Sequence, residues 1–186
     1  MQLVIKKDTK AFEEVYDRYS GKMINYFHRM LWKDKEKATD FMQDLFMKII
    51  ERPHMYDIKR PFKTWLYSIA NNMCKNEYKK QEIRRDSHEE IKMNSPNQYQ
   101  NDTTQSIDLQ KFNEMLALEL EKIDELQKTT FILRYKEECS IKEISEILGC
   151  SEGTVKSRLF YTLKKLTPKL QMFNPNFNEK AYEFKK

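Results

Sequence analysis

Lys156, Ser157, Phe160, Tyr161 and Lys164 recur at helical spacing, opposite an apolar stripe of Val155, Leu159, Leu163 and Leu166. Amines and hydroxyls so arranged can reach base edges in a DNA major groove, and a ring there can meet a thymine methyl. Phe160 and Tyr161 fall off the apolar stripe, where an aromatic calls for a partner. The backbone N–H groups near Ser151 to Thr154 stand at a helix start, a place that suits a phosphate. The plainer reading is a solvated charged face with Phe160 packed on a neighbouring helix.

The preceding elements favour DNA. Leu126 to Glu138 reads as a helix with Phe131, Ile132 and Tyr135 on one side. Ser140-Ile141-Lys142-Glu143 has the form of a capping box, in which serine and glutamate satisfy each other's backbone N–H groups. A short helix with Ile144, Ile147 and Leu148 follows, and Gly149 fits a turn that needs a left-handed residue. Ser151 can then cap the helix that carries the candidate contacts. Helix, glycine turn and helix at this spacing make a helix-turn-helix.

A second group of polar residues lies nearer the N-terminus. There Ala11, Phe12, Val15, Tyr16 and Tyr19 form one apolar stripe, and Met23, Ile24, Phe27, Met30 and Leu31 a second. Asp34 can cap a third helix, with Ala38, Phe41, Met42, Leu45, Phe46 and Ile49 as its stripe. After a loop with Pro53 and Pro61, a fourth carries Phe62, Trp65, Leu66, Ile69, Ala70 and Met73. Four such helices can share one core, with Trp65 and methionines such as Met23, Met30 and Met42 as fillers. Away from the stripes, the third helix shows Asp40, Gln43, Asp44, Met47 and Lys48, which alone is a solvated face. The fourth shows Lys63, Asn71, Asn72, Lys75, Asn76, Lys79 and then Lys80. Amides and cations on one helix suit nucleic acid, although asparagines also bond locally.

Composition narrows the classes. The 186 residues hold 34 Lys and Arg against 29 Asp and Glu, a net charge of +5. Residues 1–80 carry 17 basic and 11 acidic residues, 81–125 carry 5 and 11, and 126–186 carry 12 and 7. Two basic blocks therefore flank an acidic connector. Within the connector, residues 86–108 are rich in Ser, Asn, Gln, Asp and Thr, and their large apolar residues are Ile91, Met93, Tyr99 and Ile107. Such a stretch cannot bury a core and reads as a flexible linker. With 3 glycines in the chain, a phosphate loop is not expected, and Gly149 to Gly153 lacks the spacing. The 3 cysteines and 3 histidines are scattered, without metal-ligand or disulfide spacing. Neither a nucleophile constellation nor a carboxylate cluster stands out, so an enzyme is not expected. With no apolar run of about 18 residues and no signal-peptide pattern, the chain reads as soluble and cytoplasmic.

Two segments resemble the sigma-70 family of bacterial RNA polymerase sigma factors, in its small extracytoplasmic-function (ECF) class. The first is Lys37 to Lys80, with KATDFMQDLFMKII and FKTWLYSIANNMCKNEYKK; the second is Leu120 to Leu166, with SIKEISEILGCSEGTVKSRL. The resemblance implies an all-helical fold of two small domains joined by a flexible linker. Residues 1–85 would be sigma region 2, 86–108 the linker, 109–170 the region 4 helix-turn-helix, and 171–186 a tail without an assigned role. It also implies roles. Asp40, Gln43, Asp44, Phe46 and Lys48 would dock on the clamp helices of the polymerase's largest subunit. Tyr56, in the loop Arg52–Pro61, and Asn72 would hold a flipped base of the minus-ten element, with Lys75, Asn76 and Lys79 beside them. Thr154, Lys156, Ser157, Arg158, Phe160, Tyr161 and Lys164 would serve the minus-thirty-five element.

Core polymerase and promoter DNA are the implied partners, with no cofactor, metal or small-molecule substrate. An anti-sigma factor is a common family partner, though no residue here points to one. The sequence departs from the family pattern at Gln127, where proline is frequent, at Cys139, where glycine is, and at Asn76, where aspartate is. The competing reading is a stand-alone helix-turn-helix regulator that binds an operator as a dimer without polymerase.

Overall fold

The computed structural model describes residues 1–86 and 107–173; most of the expected linker and of the tail lies outside the described residues. Among the described residues the regular structure is helical throughout. The helices are α1 (Gln2–Ile5), α2 (Thr9–Met30), α3 (Lys35–Glu51), α4 (Phe62–Asp86), α5 (Ile107–Glu121), α6 (Glu125–Tyr135), α7 (Ile141–Leu148) and α8 (Glu152–Leu170), with a 3-10 turn at Pro53–Met55. Helices α1–α4 build one unit and α5–α8 the other.

The two apolar stripes between Ala11 and Leu31 are not two helices. They form the single 22-residue α2, capped by Asp8, whose side chain accepts from the N–H of Ala11. Nothing between them breaks a helix except Gly21, and a lone glycine costs only about 1 kcal/mol against alanine. Burial of Met23, Tyr26, Phe27 and Met30 on the second stripe outweighs it. The turn into α3 holds Trp32 and Lys33 at positive φ, 52° and 60°. The Trp32 ring is fixed there, edge-on to Tyr78 at 5.2 Å and with Lys37 Nζ 5.4 Å from its centroid. Asp34 Oδ1 accepts from the N–H of Lys37 at 3.0 Å, the expected cap.

In the second unit the local chemistry follows the sequence closely. Ser140 Oγ accepts from the N–H of Glu143 at 3.2 Å, and the N–H of Ser140 donates to Glu143 Oε2 at 2.8 Å. The Ser140 N–H on its carboxylate holds Glu143 below its usual range. Gly149 is left-handed, with φ 64° and ψ 41°. Helix α6 starts at Glu125, because Asp124 accepts from the N–H groups of both Leu126 and Gln127. Proline at 127 would lack the second donor, so this cap is tied to Gln127. The same helix ends at Tyr135, short of Glu138. There Glu138 takes φ 52° and the chain turns back, so that the N–H of Cys139 donates to the Leu133 carbonyl at 2.9 Å. Cys139 is fully buried, and burial pushes its thiol up to about 11.

Leu163 departs from the expected buried stripe of α8. It is 39% exposed, and Thr162 is fully buried in its place. A threonine is tolerated there because its hydroxyl donates to the Arg158 carbonyl at 2.7 Å. The residues that face inward are Val155, Leu159, Thr162 and Leu166.

The units pack on one another. Ile132, Leu133, Ile144 and Ile147 belong to the same apolar cluster as Leu66, Tyr67 and Ala70, which lays α7 along α4. Glu137 crosses this boundary. Its Oε1 lies 3.0 Å from Arg29 Nη1, its Oε2 accepts from the Tyr67 hydroxyl at 2.5 Å, and its carbonyl accepts from Lys63 Nζ at 2.6 Å. Among the described residues, three buried polar atoms, Tyr26 Oη, Thr64 Oγ1 and Asn71 Nδ2, have no hydrogen-bond partner. Each such group costs about 1–3 kcal/mol. Two of them, Thr64 and Asn71, share the α4 face of Tyr67 by their i, i+3, i+7 spacing.

Candidate nucleic-acid and polymerase interface

Helix α8 is presented by its cap and by its inward stripe. Ser151 Oγ accepts from the N–H of Thr154 at 3.1 Å and pairs with the Thr154 hydroxyl at 2.9 Å. Thr154 is therefore committed to the cap. The backbone donors left at this helix end are those of Glu152 and Gly153, which by helix geometry have no intrahelical partner. Val155, Leu159, Thr162 and Leu166 hold the inner side, so Lys156, Ser157, Phe160, Tyr161 and Lys164 all emerge exposed on the other. Phe160 and Tyr161 stand 49% and 53% exposed, with their rings edge-to-face at 5.4 Å. Ser157 Oγ donates to the Thr154 carbonyl at 3.0 Å, a bond it must exchange to address a base. Arg158 is half-buried, its Nη1 3.7 Å from Cys150 Sγ, at the margin of the exposed face.

The α3 candidates divide. Asp40, Gln43, Asp44 and Lys48 are exposed, as is Met47 between them. Phe46 is not: it is 2% exposed, with its ring edge-on to Tyr16 at 4.8 Å and Phe12 at 6.1 Å. Its spacing already placed it on the apolar stripe. Phe46 anchors α3 to α2 and offers no surface to a partner.

Along α4, Asn72, Asn76 and Lys79 are exposed and Lys75 is half-buried. Asn71, one residue away, is buried, and Lys63 is turned toward Glu137 in the other unit. Tyr56 sits in the loop before α4, half-buried, with its ring edge-on to Trp65 at 5.1 Å and Phe62 at 5.9 Å. Its hydroxyl donates to the Arg60 carbonyl at 2.6 Å. Burial, reinforced by Asp57 and Tyr19, raises its pKa, so the phenol remains a donor. The ring borders an open cleft of about 470 Å³ shared with Tyr19, Phe62, Glu14 and Arg18. A cleft of that size with aromatic walls can admit a base. Asn72 is not among the residues lining this cleft.

Sequence reasoning missed Glu137, Arg29 and Tyr67. An isolated acid, a helix-end arginine and a tyrosine carry no local signal, and residues 29 and 137 meet only through the fold.

Residues 15–83 match the family described as Sigma-70 region 2, and residues 113–166 match Sigma-70, region 4. The chain is 32% identical over 180 residues to the ECF RNA polymerase sigma-E factor of Haemophilus influenzae, covering 92% of this chain and 93% of that one. It is 29% identical over 177 residues to the ECF RNA polymerase sigma factor SigW of Bacillus subtilis, covering 86% and 92%. Among solved structures, the fold is shared with the sigma factor RpoE of Bartonella quintana, in complex with the anti-sigma factor NepR. There the TM-score is 0.75 at 22% identity, covering 88% of this chain and 98% of that one. CnrH, in complex with the cytosolic domain of CnrY, gives a TM-score of 0.67 at 20% identity, covering 92% and 94%.

Proposed function

This chain belongs to the sigma-70 family, in its ECF class: it is a sigma subunit of RNA polymerase. From that premise we propose how its two units divide the work. The α5–α8 unit reads the minus-thirty-five element through Lys156, Ser157, Phe160 and Tyr161, with Lys164 on a phosphate. The α1–α4 unit docks on the clamp helices of polymerase's largest subunit through Asp40, Gln43, Asp44 and Lys48. Its α4 face, with Asn72, Lys75, Asn76 and Lys79, and Tyr56 in the loop before it, engages the minus-ten element. Catalysis belongs to the polymerase, so the chain itself is not an enzyme in this reading. It works in the cytoplasm, and no helix among the described residues is long and apolar enough to cross a membrane.

The observation that carries the reading is the exposed aromatic and basic face of α8, held outward by a fully apolar or internally bonded inner side. Such a face suits the major groove, where amines read guanine and rings meet thymine methyls. The test is to mix the purified chain with core polymerase and promoter templates. Co-elution and promoter-dependent transcripts are expected. Operator binding that proceeds equally without polymerase, with no transcripts, would favour the stand-alone regulator.

A further inference from the structure

The Glu137 carboxylate is gripped entirely by the other unit. Arg29 lies 3.0 Å from one oxygen and the Tyr67 hydroxyl 2.5 Å from the second, while Lys63 Nζ caps the adjoining carbonyl at 2.6 Å. The carboxylate is nearly buried, its side chain 6% exposed, whereas Arg29 keeps 38% of its side chain in solvent. An arginine and a phenol thus hold the anion, with a lysine on the main-chain carbonyl beside it, and these are side-chain types that commonly hold nucleic-acid phosphates.

The function assigned above makes this arrangement temporary, and the inference rests on that reading. The minus-ten and minus-thirty-five elements lie about 25 base pairs apart, roughly 85 Å at 3.4 Å per base pair. Helices α4 and α8 are only about 37 and 28 Å long by their rise per residue. With α7 laid on α4, the two reading faces cannot reach both elements at once. Residues 87–106 span at most about 70 Å if extended, so the chain has length to let the units part. When they part, Arg29 and Tyr67 lose their acid and Lys63 loses its carbonyl partner. On the α4 face that carries Tyr67, Thr64 Oγ1 and Asn71 Nδ2 are also buried without partners among the described residues.

We propose that Arg29, Lys63 and Tyr67 form a binding site for a nucleic-acid backbone phosphate, which Glu137 occupies in the closed chain and vacates when the units separate. Glu137 is then a stand-in for phosphate and a brake on DNA binding by the free protein.

The experiment uses the full chain, without polymerase, and a labelled oligothymidylate of about 20 nucleotides, read by fluorescence anisotropy across a salt series. Glu137→Gln removes the acid of Arg29 and, by loosening the joint, lets Lys63 leave the main-chain carbonyl; the two freed cations should steepen the logarithmic salt slope by about 1.4 and tighten binding about tenfold. Glu146→Gln, which removes an exposed acid on α7 rather than in the α6–α7 turn, should change binding less than about twofold, as one remote charge is screened. Arg29→Gln with Lys63→Gln, added to Glu137→Gln, should abolish the gain. Glu137→Ala, which removes the same carboxylate and leaves all three proposed phosphate ligands in place, should tighten binding likewise and stands in if the Glu137→Gln chain fails to fold. Small-angle scattering should show a larger radius of gyration for Glu137→Gln. A gain no larger than that of Glu146→Gln, a gain that survives loss of both cations, or an unchanged radius would each overturn the proposal. Failure of the wild-type chain to direct transcripts would instead sink the sigma reading, and these measurements do not depend on it.

Discussion

Gly149→Ala and Gly21→Ala make the same chemical change and should move stability in opposite directions. Gly149 holds φ 64° in the turn between α7 and α8, and a Cβ there would meet no atom within 4 Å. The whole effect is therefore backbone. An L-residue in the left-handed region costs about 1–2 kcal/mol. Gly21 lies inside α2 with equally open space around a new Cβ. Alanine in a helix interior gains about 0.5–1 kcal/mol over glycine. For a chain of this size, 1 kcal/mol moves the midpoint by about 2–4 °C, so Gly149→Ala should fall by about 2–8 °C and Gly21→Ala rise by about 1–4 °C. Thermal unfolding followed by far-ultraviolet circular dichroism measures both. Gly149→Asn is the internal check, because asparagine visits the left-handed region and should recover part of the loss. Shifts of the same sign at the two glycines, or Asn at 149 no better than Ala, would refute the argument that backbone conformation alone separates them.

Asp44→Arg should abolish co-elution with core polymerase while leaving the circular dichroism spectrum intact, since Asp44 is exposed and like-charge contact across an interface costs several kcal/mol; unchanged co-elution would remove α3 from the docking surface. Lys156→Ala should lose about 1–3 kcal/mol of discrimination at one position of the minus-thirty-five element, read as transcripts from a panel of mutated promoters. Lys164→Ala should instead weaken binding evenly across sequences and reduce the salt slope by about one, and selectivity lost at 164 rather than 156 would reverse the two roles. Tyr56→Ala and Asn72→Ala should fail at promoter opening and be partly rescued on a template mismatched across the minus-ten element, because stacking on an aromatic is worth about 1–3 kcal/mol per base. Tyr56→Phe, which keeps the ring and loses only the bond to the Arg60 carbonyl, should sit near wild type; a Phe variant as defective as Ala would assign Tyr56 to loop structure.

What the sequence settled by itself was chemistry completed within a few residues. The caps at Asp34 and Ser151, the reciprocal Ser140–Glu143 box and the left-handed Gly149 are each closed by neighbours three or four positions away, so their residue types announce them. The exposed side of α8 followed because a helix that buries Val155 and Leu159 must turn Lys156, Phe160 and Tyr161 outward. Tertiary packing decided the rest. It merged two stripes into α2, since no local signal distinguishes a single mid-helix glycine from a break. It chose Thr162 over Leu163 for the interior, because a hydroxyl that bonds its own helix can be buried and a stripe's drift is fixed only by what it packs against. It buried Asn71 and left Asn72 exposed, although both are amides on one helix, because adjacent helix positions point about 100° apart and only packing decides which side is covered. It also joined Glu137 to Arg29 and Tyr67 across 108 and 70 residues of chain. Periodicity tells which side of a helix is apolar, but only the assembled fold says which acid will find which cation once both leave water.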